Sequence, residues 1–154
     1  MVDFLEKLGL GGKKVKEVGP GDFFEVKEGQ TVIFGRNPEN SLSWQPTFRG
    51  VMLPVGRSLS RAVVSYTLDK SGKLTVKGLT HKNDVYVNEI IRGAWKRNQL
   101  FENETEQVLD HAIIDIYTLD DTLIRLNPAG GSQGKTRELK FRVDINPLER
   151  GLNK

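Results

Sequence analysis

The feature that most constrains this chain is the near absence of helical periodicity over a long succession of short, mostly alternating apolar runs. FFEVK, TVIF, GVMLPV, AVVSYTL, KLTVKG, DVYVN, AIIDIYTL, TLIRL and ELKFRVDI are rich in β-branched and aromatic residues, and most are separated by Gly, Pro, Asn and Asp clusters. Successive side chains of a strand point to opposite faces, so such a run buries one face and leaves the other in water. Many short strands with turn signals between them predict an all-β sandwich or barrel of mostly antiparallel strands. One short helix is expected at VDFLEKL, where Gly9, Gly11 and Gly12 would end it.

The turns order some of these strands. Asp69-Lys70-Ser71-Gly72 joins AVVSYTL to KLTVKG as a hairpin, and Asp120-Asp121 reverses the chain between AIIDIYTL and TLIRL. NPAGGSQGKTR reads as a long flexible loop closing a wider hairpin onto ELKFRVDI. A length of 154 residues suits one domain. Residues 1–18 are expected to form the N-terminal helix and a Gly-rich segment, 19–147 the sandwich and 148–154 a C-terminal tail.

Function classes narrow in the same way. With no cysteine, disulfide frameworks, thiolate zinc sites and cysteine nucleophiles are excluded. The start lacks the continuous apolar core of a signal peptide and no later segment approaches a membrane span, so a soluble, cytoplasmic protein is expected. Charge is unevenly placed. Arg36 to Arg97 holds eleven Lys or Arg against four acids, whereas Glu102 to Asp121 holds seven acids and no base. The first block is suited to an anion.

Within that block three short patterns fall between strands. Gly35-Arg36 follows TVIF, Ser60-Arg61 precedes AVVSYTL, and His81-Lys82-Asn83-Asp84-Val85-Tyr86-Val87-Asn88 opens the strand DVYVN. In order and spacing these resemble the signatures of forkhead-associated (FHA) domains, over roughly residues 23–127, with ELKFRVDI as a closing strand. The resemblance implies an FHA-like β-sandwich of about eleven strands that binds phosphothreonine peptides as an adaptor in kinase-dependent signalling, without catalysis or cofactor. It implies phosphopeptide-binding roles for Arg36, Ser60, Arg61, His81, Lys82 and Asn83, and an associated Ser/Thr kinase.

The chemistry of those residues suits the ligand. A phosphothreonine carries about −1.5 to −2 charge and three acceptor oxygens, which a guanidinium fork, a hydroxyl and an ammonium can meet. Asn83 has a donor and an acceptor on one amide and could bond an extended peptide backbone at two points. Three positions depart from the family pattern. Val63 stands where the family has a histidine and cannot brace the loops by a side-chain hydrogen bond, His81 stands for a serine, and Asp84 stands for a glycine and would bring a carboxylate near the phosphate. A degenerate fold making phosphate-independent contacts is the alternative implied by those departures.

Other signals are weaker. Ala129 to Thr136 resembles a loose phosphate-binding loop, but a strand pattern follows where that loop needs a helix. His81 and His111 fall in different elements and give no metal or nucleophile constellation. Arg49, Arg57, Arg61, Lys73, Lys77 and Lys82 could follow a nucleic-acid backbone, but aromatic residues are not regularly interleaved with them as a stacking platform requires, so nucleic acid is an unfavoured partner. Trp44 and Trp95 lie in segments without clear periodicity, Trp95 being expected to cover the core, and Tyr86 and Val87 are expected inside it.

Overall fold

A computed structural model describes residues 16–37, 39–44, 47–48, 51–52, 59–119, 122–133 and 137–146. The expected helix at VDFLEKL, the Asp120-Asp121 reversal and the C-terminal tail lie outside the described residues. Among those described, the chain is all-β, and no helix is long and apolar enough to cross a membrane.

Two six-stranded sheets carry the fold. One runs, in spatial order, β1 (Lys16–Val18), β4 (Leu42–Trp44), β3 (Gln30–Gly35), β7 (Val64–Leu68), β8 (Leu74–Gly78) and β11 (Thr105–Val108). The other runs β10 (Ala94–Leu100), β9 (Asp84–Ile91), β12 (Ile113–Tyr117), β13 (Leu123–Gln133), β14 (Arg137–Asn146) and β2 (Phe23–Lys27). Strands β5 (Thr47–Phe48) and β6 (Val51–Met52) form a separate two-stranded ribbon. Pairing is antiparallel except where β4 lies parallel to β1 and β3.

Alternation places the core between the sheets. Phe24 and Val26 of β2 point inward while Phe23, Glu25 and Lys27 point out, and Val85 and Val87 of β9 are buried in the same way. Three rings join the layers: Tyr66 of β7 lies 4.7 Å from Phe141 of β14 and 5.8 Å from Phe24, which is itself 5.3 Å from Phe141. Trp44 belongs to strand β4 and is fully buried against Phe34. The Tyr66 hydroxyl has no hydrogen-bond partner among the described residues, and burial, then the Asp115 charge, raise its pKa well above the ordinary value. A buried hydroxyl without a partner is destabilising. Tyr66→Phe should therefore raise unfolding stability by about 1 kcal/mol in a denaturant titration, and a loss of similar size would show that the hydroxyl has a partner.

Several sequence expectations are corrected here. The segment NPAGGSQGKTR is not a loop as far as Gln133, because β13 continues through it and pairs with β14 across a register shift between Pro128 and Gly131. The left-handed φ of Gly130, +99°, lies at that irregularity. Trp95 does not cover the core but stands on β10 at 58% exposure. Tyr86 is not a core residue either. Its ring lies on the outer face of the second sheet, with the Arg97 guanidinium 4.2 Å from its centroid.

That outer face holds a fully buried carboxylate. Asp115 of β12 accepts from Arg97 Nη1 at 2.7 Å, from Arg125 Nε at 2.7 Å and Nη2 at 3.1 Å, and from Asn88 Nδ2 at 3.2 Å. Arg97 also donates to Asn88 Oδ1 and to the Tyr117 hydroxyl. The group links β10, β9, β12 and β13 side by side.

Candidate functional site

The loops after β3, before β7 and before β9 meet at one end of the sandwich. Arg36 N–H donates to Ser60 O at 3.0 Å and Asn37 N–H to Arg61 O at 3.0 Å, so the β3 end and the Ser60-Arg61 segment run side by side. Gly35 makes this approach possible. A Cβ there would fall on the Arg61 carbonyl oxygen and 2.7 Å from Ala62 Cα. The Arg61 carbonyl also accepts from Asn40 Nδ2.

Between these loops is an open pocket of about 500 Å³ lined by Arg36, Ser60, Arg61, His81, Lys82 and Glu102, with Leu59, Ala62, Thr80 and Leu119 completing its wall. Five of the six residues expected at the site thus face one space. Arg36 Nε donates to Leu59 O at 2.9 Å, which fixes the guanidinium by one edge. Among the described residues its Nη groups have no hydrogen-bond partner, so two donor-bearing nitrogens remain for a ligand.

Ser60 is set by a hydroxyl pair. Its Oγ lies 2.8 Å from Thr80 Oγ1, and Thr80 Oγ1 accepts the Lys82 N–H at 3.0 Å. With Thr80 donating to Ser60 Oγ, the Ser60 hydroxyl proton is left to point at an acceptor in the pocket. Thr80 was not among the expected site residues. Its signal was a hydroxyl two residues before a backbone N–H, the pattern of a side-chain-capped turn.

Asn83 has a different place. It is 3% exposed and lies beneath the rim, where its Oδ1 accepts the Ser60 N–H at 2.9 Å and its Nδ2 donates to Tyr117 O at 3.3 Å. Both ends of the amide are engaged within the domain, tying the Ser60 loop to β12 and to the start of β9. It acts as a positioning residue in this arrangement. Val63 is fully buried, and its own backbone supplies bracing: its N–H donates to Phe34 O at 2.8 Å and its carbonyl accepts from Leu79 N–H at 2.9 Å.

The charge environment also differs from the sequence expectation. Asp84 does not line the pocket, and its carboxylate accepts from Gln99 Nε2 at 3.3 Å instead. The acid in the pocket is Glu102, whose Oε1 is 2.9 Å from His81 Nδ1. Arg36, Arg61 and Lys82 still outnumber it, so the cations lining the opening can hold a dianion. His111 lies elsewhere, its Nε2 accepting the Ile90 N–H at 3.2 Å, and among the described residues no group of ligating side chains could hold a metal ion.

No family model matches the chain, and no curated protein matches it. Solved structures similar to it include the N-terminal FHA domain of Rad53p from S. cerevisiae, in complex with a phosphothreonine peptide, at 15% identity and TM-score 0.39 over 80% of this chain and 73% of that one. They also include an engineered FHA domain with a Myc-pTBD peptide, at 15% identity and TM-score 0.42 over 81% of this chain and 73% of that one.

Proposed function

We propose that the chain is a phosphothreonine-peptide-binding adaptor acting on a kinase-modified partner, without cofactor and without chemistry of its own. The supporting observation is the convergence of Arg36, Ser60, Arg61 and Lys82 on one open pocket, with the Arg36 fork anchored by a single nitrogen. Charge-assisted hydrogen bonds contribute about 1.5 to 3 kcal/mol each. Two or three of them account for most of the roughly 8 kcal/mol of a micromolar complex. Such affinity is reversible and suits regulation in the cytoplasm. The Glu102 carboxylate opposes a dianion and favours a second reading, a phosphate-independent protein contact at the same rim.

An oriented phosphothreonine peptide library, screened beside its unphosphorylated counterpart while backbone amide shifts are followed by NMR, tests the proposal. Enrichment of phosphorylated peptides with shifts at Arg36, Ser60, Thr80 and Lys82 is expected. Equal capture of both libraries would leave the second reading.

A further inference from the structure

Strand β10 is an edge of its sheet and is exposed along most of its length. Ile91 and Ala94 are register partners across the two-residue turn Arg92-Gly93, and both turn residues have positive φ, 53° and 82°. That is the conformation of a type I′ hairpin. In such a hairpin the pair flanking the turn exchanges both backbone hydrogen bonds, and bonded and unbonded pairs then alternate. The backbone groups of Ala94, Lys96, Asn98 and Leu100 therefore face β9, while those of Trp95, Arg97 and Gln99 face outward. Among the described residues no strand pairs with that side.

The edge has two further properties. A large apolar side chain, Trp95, stands exposed on it, with Ile90 and Ile91 of β9 exposed beside it and Phe101 exposed just past its end. Its charge is also polarised: Arg92 and Lys96 lie toward the turn, and Glu102, Glu104 and Glu106 lie toward the other end.

We propose that β10 is a self-association edge, on which two copies of this chain pair antiparallel about a two-fold axis at Arg97. This register is the one that uses every outward backbone group, matching Arg97 to its counterpart and Trp95 to Gln99 of the second copy. It sets the basic Arg92-Gly93 turn of one copy beside the acidic Phe101–Glu104 turn of the other. Lys96 falls beside Asn98 of the second copy, whose side chain is hydrogen-bonded to Glu106 of that same copy.

Basic residues on an edge commonly keep strands apart. Here Lys96 does not oppose its own counterpart. Arg97 does, but its guanidinium is bound to Asp115 and stacked on Tyr86, drawn away from the edge. Burial, then the Glu89 carboxylate, raise the Glu106 pKa, so that acid gains from an incoming cation. Main-chain pairing of this kind gives modest affinity, so a concentration-dependent dimer is expected.

Sedimentation equilibrium of the full chain, from micromolar to near-millimolar concentration, tests the proposal. The wild type should show a monomer–dimer equilibrium. Trp95→Lys and Lys96→Glu should each weaken it by about tenfold, because symmetry counts every contact twice. Adding Glu106→Lys to Lys96→Glu should restore it to within about threefold by exchanging the signs. Circular dichroism checks that each variant is folded, and the two single changes are independent of one another. A wild-type chain that stays monomeric throughout would overturn the proposal, including the case in which β10 takes a strand from a different protein. A dimer indifferent to both single substitutions would also overturn it.

Discussion

Asp115→Ala should lower unfolding stability by about 3 kcal/mol, the low end of the range for removing one partner from a buried ion pair. The carboxylate is fully buried and receives two arginines and an asparagine. Its removal leaves Arg97 and Arg125 facing each other without the charge that joins them. Both arginines keep partial access to water, with side-chain exposures of 41% and 34%, so they recover some solvation and the upper end of the range is not reached. A loss of that size lowers Tm by about 6 to 12 °C for a domain of this length. Asp115→Asn retains the shape and should cost less. The measurement is thermal and chemical unfolding of both variants. A change under about 0.5 kcal/mol for alanine would show that the arginines are as well served by water.

The second large effect belongs to Gly35→Ala. Its φ is not left-handed, so the requirement for glycine is one of space alone: the added Cβ meets the Arg61 carbonyl and Ala62 backbone, which cannot swing aside as a flexible side chain can. Overpacking of this kind costs about 1 to 3 kcal/mol. The more telling effect is on binding. Pushing β3 away from Ser60-Arg61 breaks the bonds from Arg36 N–H to Ser60 O and from Asn37 N–H to Arg61 O, so Arg36 and Ser60 leave register with Lys82. Phosphopeptide affinity should fall by at least tenfold, about 1.4 kcal/mol, under conditions where the variant is still folded by circular dichroism. Unchanged affinity in a folded variant would show that the rim does not depend on this close approach.

Much of the fold was legible because burial of one face leaves an alternating pattern. FFEVK and ELKFRVDI show it, and each is a strand with its alternate apolar residues inward; DVYVN is a strand as well, but it buries Val85 and Val87 and turns Tyr86, expected inside, to the outer face. Strand β10 was missed for the opposite reason: AWKRNQL is exposed along both faces, so no alternation marks it. Glycines and a proline disguised the far half of β13, where a bulge absorbs the irregularity. β1 and β4 are three residues each, too short for a period to appear.

The site divides similarly. Its cationic set could be read from residue types in order between strands, and Arg36, Arg61 and Lys82 do face one pocket. The direction of a side chain could not. Asn83 lies beneath the rim because Ser60 and Tyr117 supply its partners, and Asp84 leaves the pocket because Gln99 lies across the β9–β10 ladder. Glu102 reaches His81 through a contact distant in sequence, and no local pattern announces it.

The most direct test of the phosphate-binding account is calorimetric titration of one phosphothreonine peptide and its unphosphorylated twin against the wild type and Arg36→Ala. The phosphorylated peptide should bind the wild type at least tenfold more tightly, and Arg36→Ala should remove most of that difference, since one charge-assisted contact of about 1.5 to 3 kcal/mol is lost. Equal affinity in every pairing would contradict phosphate recognition at this rim.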